Sequence, residues 1–325
     1  MSRNGELLSP PPDDNAFNGY EMLMEACEPL EPITVAVVHP CDDISLTSAI
    51  DAAQEGLITP LLVGPQAKIR AVAEGEGIDL TAYKIVDVEH SHAAAAKAVE
   101  LVRGGQAEAL MKGSLHTDEL LAEVVNKATG LRTDRRISHC FIMDVPTYPK
   151  PLIVTDGAVN IAPDLKAKAD ICQNAIELAQ VLRIETPKVA ILSAVETVNP
   201  EIPSTVEAAA LCKMADRGQI VGGLLDGPLA LDNAISMEAA RTKKIVSPVA
   251  GQADILLVPD LEAGNILAKQ LTFLARAEAA GIVLGARVPI ILTSRADTLR
   301  ARLASCAVAV LLVHARRARL ATTAD

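Results

Sequence analysis

Short apolar runs alternate with amphipathic patterns along the chain from residue 32 onward. Apolar, often β-branched runs between turn residues predict strands. The strands predicted in this way cover residues 33–38, 60–63, 84–88, 107–111, 140–143, 152–155, 189–192, 220–225, 255–258, 282–284 and 288–292. None of these runs approaches the ~18 apolar residues of a membrane span, so no membrane partner is expected.

Between these runs, apolar residues recur with the period of a helix. Within 166–182, Ile171, Ala175, Leu178 and Leu182 lie at i, i+4, i+7 and i+11, which places them on one buried stripe. The helices predicted by this pattern cover residues 45–54, 92–103, 166–182, 204–214, 264–280 and the stretch from 296 onward. Alternating strands and helices predict the α/β class, with mostly parallel sheets covered by helices on both faces.

The length of the chain favours two domains, because one core seldom serves more than about 250–300 residues. Three prolines between Val145 and Pro151 interrupt any regular element, so a crossing between domains is expected there. A second crossing is expected near residues 281–287. The predicted organisation is a mobile tail over residues 1–30, a first domain formed by 31–148 plus 283–325, and a second domain over 149–282.

The composition narrows the classes of partner. The net charge is −11, which argues against nucleic acid as a partner, because phosphate backbones bind basic surfaces. Aromatic residues make up 2% and Trp is absent, so Ala, Leu, Ile and Val must fill the core. Six cysteines without a C-x-x-C pair predict buried, reduced thiols and a cytoplasmic location.

The signature motifs of several enzyme classes are missing from the sequence. There is no G-x-x-x-x-G-K-[ST], no G-x-G-x-x-G after a strand, no G-x-S-x-G and no H-E-x-x-H. These gaps argue against an NTPase, a Rossmann-type NAD enzyme, a serine hydrolase and a zincin. The histidines show no ligand spacing except His90 and His92, so no metal site is predicted.

Polar residues follow four of the predicted strands and open one of the predicted helices. The clusters lie at 111–114, 155–160, 193–199, 226–233 and 264–265. An Asp-Gly pair after a strand, taken alone, is most often only a turn. Five clusters in one α/β chain favour the alternative of a common cleft, since ligand sites in open parallel sheets lie beyond the carboxyl ends of the strands.

The segment 288–297 concentrates the most chemistry in the fewest residues. An apolar run ends there in Ser294, Arg295 and Asp297, which offer a hydrogen-bond donor, a fixed positive charge and a carboxylate. The same residues fit the S-x-x-[DE] pattern that caps a helix, and a helical pattern begins there. Local sequence leaves both interpretations open.

Ordered motifs along residues 33–313 resemble the phosphate acetyl/butyryltransferases. The segments that carry the resemblance are 192–200, 213–219, 226–233, 253–259, 262–265 and 292–297. The segments 110–113 and 156–163 are similar to the butyryl branch. The resemblance implies two α/β/α domains around a cleft, as in isocitrate and isopropylmalate dehydrogenases. It also implies a homodimer and the reaction acyl-CoA + phosphate ⇌ acyl phosphate + CoA.

The resemblance implies roles for individual residues. Ser294 would hydrogen-bond the thioester or the departing thiolate, and Arg295 would hold phosphate and stabilise the tetrahedral oxyanion. Asp297 would act as the base toward the CoA thiol. The residues expected to bind substrate are Lys112, Asp226, Asp232, Asn233, Gly264 and Asn265. Coenzyme A is a substrate and product of such a reaction, and no cofactor is expected.

Three alternatives stay open at this stage. The acyl group is acetyl, propionyl or butyryl, because chain length depends on the depth of a pocket. A non-catalytic acyl-CoA-binding module of the same fold, which regulates or holds oligomers together, is a second possibility. A metal-dependent decarboxylating dehydrogenase on a related fold is a third. Arg132, Arg135 and Arg136 either contact the phosphates of CoA or form a solvated basic loop.

Overall fold

A computed structural model describes residues 18–293 and 297–322. The strands are β1 (Ile33–Val38), β2 (Ile58–Gly64), β3 (Lys84–Asp87), β4 (Ala109–Lys112), β5 (Ser138–Asp144), β6 (Leu152–Thr155), β7 (Lys188–Leu192), β8 (Leu224–Leu229), β9 (Ile255–Leu257), β10 (Glu278–Leu284) and β11 (Ile290–Ile291). The helices are α1 (Gly19–Cys27), α2 (Asp43–Gln54), α3 (Gln66–Glu76), α4 (Ser91–Arg103), α5 (Thr117–Val124), α6 (Leu165–Val181), α7 (Pro203–Asp216), α8 (Leu231–Ile235), α9 (Met237–Thr242), α10 (Leu261–Leu274) and α11 (Leu299–Thr322).

All strands belong to one 11-stranded sheet, in the order β3-β2-β1-β4-β11-β10-β5-β6-β9-β7-β8. Most neighbours are parallel, which confirms the predicted α/β class. Three neighbouring pairs are antiparallel: β11–β10, β10–β5 and β5–β6. In consequence, β1 to β5 and β11 run in one direction, while β6 to β10 run in the other.

One face of the sheet carries a single apolar cluster across its full width, which we call the continuous core. Hydrogen-bonded neighbours along one row of the sheet belong to it, among them Val37, Met111, Ile291, Ile282 and Cys140. Helices α1, α2, α3, α6, α7 and α11 cover this face. Because the row spans both halves of the sheet, burial on this face joins them into one body.

The other face carries two separate clusters. The first front cluster includes Val38, Leu110 and Ile290 and lies under α4 and α5. The second front cluster includes Val154 and Leu256 and lies under α8, α9 and α10. The apolar covering of this face is therefore interrupted where the two halves of the sheet meet.

Several predicted boundaries match the structure and others do not. The predictions for β1 and β6 match at both ends. The strand predicted at 220–225 is wrong in position, since β8 spans Leu224–Leu229. The helix predicted at 264–280 is also misplaced, because Asp260 caps α10 by accepting the amide proton of Ala263. Residues Glu278–Ala280, which the sequence assigned to the end of this helix, lie in β10.

The segment 1–30, expected to be a mobile tail, contains helix α1. The Cys27 side chain is buried, and its thiol donates to the carbonyl of Ala307 on α11. The guanidinium of Arg300 lies 4.2 Å from the centre of the Tyr20 ring and forms an ion pair with Glu21. The expectation is therefore wrong for Gly19–Cys27, because this stretch buries an apolar face; residues 1–17 lie outside the described residues.

Candidate functional site

Side chains change character where the two front clusters meet. On β5, His139 points to the front face, while its neighbour Cys140 belongs to the continuous core. On β10, Gly281 occupies the corresponding front position, and a Cβ there would lie 3.0 Å from Nε2 of His139 and 2.7 Å from the carbonyl oxygen of Leu292. The front face of the central strands thus carries an imidazole and a glycine in place of aliphatic side chains.

The turn that follows β6 supplies a buried carboxylate. Asp156 is 3% exposed and accepts hydrogen bonds from the backbone amides of Ala158, Val159 and Asn160 at 2.9–3.1 Å. The side-chain amide of Asn160 also donates to Asp156, at 2.6 Å, and to the carbonyl of Ile137. The carboxylate therefore orders the whole turn, since a buried charge requires several donors.

An arginine is attached to this turn. Nε of Arg136 donates to Oδ1 of Asn160 at 2.8 Å, so a buried amide fixes the base of an exposed guanidinium. Arg135 instead pairs with Glu177 on α6, at 2.7 Å. Arg132 makes a backbone bridge to Ala286. We call His139, Asp156, Asn160 and Arg136 the central polar cluster.

His139 is the most unusual titratable group of the cluster. It is 1% exposed, and its ring packs edge-on against Phe141 with centroids 4.3 Å apart. Burial lowers the pKa of His139 to about 4, although the nearby Asp156 charge opposes this shift. Nδ1 finds no hydrogen-bond partner among the described residues. His139 is therefore neutral at neutral pH and retains an unused polar atom.

Gly264 and Asn265 lie against the same turn. A Cβ on Gly264 would lie 2.8 Å from the carbonyl oxygen of Asp156, and the side-chain amide of Asn265 donates to the carbonyl of Gly157 at 3.1 Å. Gly264 also lies within α10 rather than at its start. Gly264 is predicted from the sequence to bind substrate; in the structure, the backbone of Asp156 and Gly157 fills the space beside its Cα.

Lys112 is the last residue of β4 and pairs with Val38 of β1. Its ammonium lies 3.2 Å from the carbonyl oxygen of Gly113, to which it donates. Ser114 next to it exchanges hydrogen bonds with His39. Lys112 and Asp156 end strands of opposite direction and are separated by four strand spacings, which corresponds to roughly 19 Å.

A second polar group lies at the carboxyl ends of β7 and β8. Asn233 is fully buried; its side-chain amide donates to Glu196 at 3.4 Å, and its Oδ1 has no partner among the described residues. Glu196 also accepts from Lys243, at 3.0 Å. Asp232 is exposed on α8. Since β6 to β9 are parallel, this group shares an edge of the sheet with Asp156 and Gly264.

Asp226 lies within β8. It pairs with Ala190 of β7, which belongs to the second front cluster, so the alternation of the strands places Asp226 on the front face. Its carboxylate accepts from the amide of Gly227, and its charge helps raise the pKa of Cys212 on α7, after burial as the main cause. A substrate-binding role for Asp226 stays a prediction.

Ser294 and Arg295 lie outside the described residues. Asp297 is described and is half-buried, and its carbonyl accepts from Arg302 at 2.9 Å. Helix α11 begins at Leu299 rather than at 296, and the hydroxyl of Thr298 accepts the amide proton of Ala301. Thr298 therefore fills the capping role that the sequence left open for Ser294.

Sequence reasoning missed the central polar cluster as a unit. Asp156 and Asn160 were noted as a strand end, but His139 and the attachment of Arg136 were not foreseen. A signal was present in the alternation of β5, which places His139 and Phe141 on the face opposite to Cys140 and Ile142.

The cysteines and the clusters of possible metal ligands bear on two alternative kinds of chemistry at this site. Burial raises the pKa of Cys140 and Cys306 to about 12, so neither thiol is ionised at neutral pH. Across residues 18–293 and 297–322, no three His, Cys, Asp or Glu side chains are grouped so that they could hold a metal ion. Over the same ranges, no helix combines the length and apolarity that crossing a bilayer requires.

Comparisons with known proteins show which sequences and structures this chain is similar to. The sequence profile described as phosphate acetyl/butaryl transferase matches residues 91–310. A phosphate acetyltransferase of Rhizobium meliloti is 65% identical over 299 residues, which cover 92% of this chain and 95% of that protein. A phosphate butyryltransferase of Clostridium acetobutylicum is 42% identical over 297 residues, covering 91% and 98%. The crystal structure of a branched-chain phosphotransacylase from Enterococcus faecalis superposes with a TM-score of 0.76 at 33% identity, over 87% of this chain and 99% of that one.

Proposed function

Because the chain belongs to the phosphate acetyl/butaryl transferase family, we propose that it transfers a short acyl group between coenzyme A and inorganic phosphate, with acetyl as the preferred group. The observation that carries this proposal is the 65% identity to a phosphate acetyltransferase, against 42% to a phosphate butyryltransferase. Both alignments cover more than nine-tenths of the chain, so the difference extends over the whole protein.

The reaction requires one bond to form and one to break. A phosphate oxygen attacks the thioester carbonyl carbon, the carbonyl oxygen becomes an oxyanion, and the carbon–sulfur bond then breaks to release CoA thiolate. Arg295 stabilises the oxyanion and holds phosphate, because its planar fork matches two oxygens at once. Ser294 donates to the sulfur or the carbonyl oxygen, and Asp297 exchanges the thiol proton with CoA.

A direct transfer of this kind needs no covalent acyl-enzyme. The raised pKa of the Cys140 and Cys306 thiols supports this part of the proposal, since a protonated, buried thiol is a poor nucleophile. We assign the stabilisation of the transition state to hydrogen bonds and fixed charge, with CoA as substrate and product, and propose that no additional cofactor takes part.

Substrate contacts are proposed around the interruption between the two front clusters. Lys112 lies one residue beyond Met111, the partner of Ile291 in β11, and provides positive charge beside the segment that leads to Ser294. Asn265 and Gly264 hold the Asp156 turn from the opposite side. Arg136 extends from that turn and is assigned to an anionic group of CoA. Asn233 and Asp232 form a more distant contact at the same sheet edge, and Asp226 is assigned to the same side because β8 presents it on the front face.

A homodimer is proposed on the basis of α10. Three apolar side chains on this helix are strongly exposed: Ile266 at 65%, Phe273 at 71% and Leu274 at 78%. Such a row on one helix favours burial against a second copy of the chain. A Phe273→Asp/Leu274→Asp double variant is expected to run as a monomer in light scattering. The control Val246→Asp, at an exposed apolar residue outside α10, is expected to leave the mass of wild type unchanged.

A cytoplasmic location is proposed from the cysteines. All six are unpaired, and four of them are buried as free thiols. Reduced thiols are typical of proteins in reducing compartments.

The choice of acyl group is tested by the formation of acyl phosphate from acetyl-, propionyl- and butyryl-CoA at fixed phosphate. The expected order of kcat/KM is acetyl, propionyl, butyryl, with about tenfold or more lost per methylene that does not fit. A higher kcat/KM with butyryl-CoA would contradict the assignment of acetyl. Binding of all three without any product would favour the acyl-CoA-binding module instead.

A further inference from the structure

A cavity lies on the face of the continuous core, whereas the central polar cluster lies on the front face. It measures about 420 Å³ and lies between α6 and α11, and the turn from Leu284 to Pro289 closes one end. Helix α6 contributes Leu178 and Val181, and α11 contributes Leu312, so the floor is apolar. A volume of this size is in the range of small-molecule sites, which run from about 300 to 1,000 Å³.

Four arginines surround this floor, and we call them the arginine pocket: Arg135, Arg287, Arg316 and Arg319. Among the residues that the structure describes, two acidic ones line the same cavity, Asp134 and Glu177, in a chain whose net charge is −11. Glu177 is already paired with Arg135, at 2.7 Å. The cavity is therefore locally basic against the overall charge of the protein.

Two of these arginines have charge to offer to a ligand. The guanidinium groups of Arg287 and Arg316 make no hydrogen bond or ion pair with any residue that the structure describes. Arg287 projects from the β10–β11 turn, whose position is fixed because its amide donates to the carbonyl of Leu131 at 2.8 Å. Arg316 lies on α11 one turn after Leu312, so its side chain borders the apolar floor.

We propose that the arginine pocket binds a nucleoside phosphate. An aromatic base would lie on the half-buried Val181 and Leu312, and the phosphate would lie between Arg287 and Arg316. A planar guanidinium both stacks on aromatic rings and binds phosphate through two parallel N–H bonds. Inorganic phosphate alone would leave the apolar floor wet. The site is separate from the one proposed for acyl transfer, and its binding assay needs no turnover.

Adenosine 5′-monophosphate is the probe, measured by calorimetry on the full chain in phosphate-free buffer. The double variant Arg287→Gln/Arg316→Gln is expected to weaken binding at least about tenfold, since each lost bond is charge-assisted. The control Arg103→Gln/Arg241→Gln removes the same charge from exposed positions on α4 and α9 and is expected to bind like wild type. Equal affinity of all three proteins, or no binding by wild type, overturns the proposal.

The same phosphate chemistry is present at the nucleotide end of CoA, and two further arms separate the sources. Saturating CoA is expected to leave AMP binding intact, and the pocket variant is expected to keep the wild-type KM for acetyl-CoA. Displacement of AMP by CoA together with a raised KM would assign the pocket to CoA and overturn a separate site. Adenosine and inorganic phosphate are each expected to bind at least tenfold more weakly than AMP; equal binding of either one contradicts a nucleoside phosphate site. An absence of acyl transfer would defeat the proposed function and leave the AMP result standing.

Discussion

The two faces of the central sheet use the same strands for different ends. The continuous core joins both halves through one apolar cluster that includes Val37, Met111 and Ile282. The front face is apolar only in two separate patches, with His139 and Asp156 buried between them. Burying a polar group costs free energy unless the group is hydrogen-bonded. The front face therefore has less apolar packing where the proposed chemistry takes place. The comparison teaches that stability and function are divided between the two faces.

The largest effect is expected from Arg295, in the segment that follows β11. Arg295→Lys keeps the charge but loses the fork, so kcat/KM is expected to fall about 100- to 1,000-fold, the range seen when one oxyanion donor is removed. The melting temperature is expected to stay within a degree or so of wild type. Arg241→Lys on α9 is the matched control. A lysine variant with near-normal turnover would remove Arg295 from the chemistry.

The pH dependence of stability tests the front face next. The pKa of His139 is lowered from 6.5 to about 4 by burial, so the unfolded state binds a proton that the folded state refuses. The contribution of His139 to the free energy of unfolding is therefore fully present above pH 6.5. It is lost as pH falls through 4, and the total loss is on the order of 3 kcal/mol. His139→Leu is expected to flatten this part of a denaturation profile. His116→Leu, at an exposed histidine whose side chain makes no capping hydrogen bond, is the control; an unchanged slope in His139→Leu would contradict the account.

A matched pair of asparagines compares the faces directly. Asn160 bonds to Asp156 on the front face, and Asn174 bonds to Ser138 and to the carbonyl of Arg136 from α6, on the face of the continuous core. Each Asn→Leu change is expected to cost about 1–3 kcal/mol of unfolding free energy, because a buried partner is left unsatisfied. Only Asn160→Leu is expected to raise the KM for acetyl-CoA, since it also releases Arg136. Equal KM values in the two variants would contradict the claim that substrate binding depends on the front face rather than on the continuous core.

The smallest effect is expected on the surface of α7. Lys213 and Asp216 form an exposed pair one turn apart, at 2.5 Å. Lys213→Ala is expected to leave both the melting temperature and the turnover unchanged, because solvent screens such a pair. A clear loss of activity here would mean that the site extends to a helix that we assign to the continuous core.

The sequence predicted elements better than it predicted their arrangement. Strands β1 and β6 were found at both ends because an apolar run stops abruptly at polar or turn residues. The end of α10 was missed because the Ala-rich segment that follows it continues a helical pattern, whereas pairing with β5 places Glu278–Ala280 in β10. Strand direction was also out of reach, since periodicity carries no information on which neighbour a strand joins. That is why Lys112 and Asp156 were expected at one common edge.

The site was predicted in part for similar reasons. Strand-end polar residues identified Asp156, Asn160 and Gly264, which the structure brings together. His139 was overlooked because a histidine inside an apolar run resembles an ordinary core position until its neighbours are known. Asp226 was included because an Asp-Gly pair marks a strand end, and its register beside Ala190 places it on the front face, within β8.

The central claim is that this chain moves an acyl group directly from CoA to phosphate. Release of CoA thiol from acetyl-CoA measures it, with phosphate absent, present, or replaced by arsenate, and with a chelator added to each arm. The account predicts no release without an oxyanion acceptor and one mole of acetyl phosphate per mole of thiol with phosphate. With arsenate, continued thiol release is expected, because the acetyl arsenate that forms is a mixed anhydride and hydrolyses. The chelator is expected to have no effect. Thiol release at the same rate without phosphate would contradict the account and indicate a thioesterase.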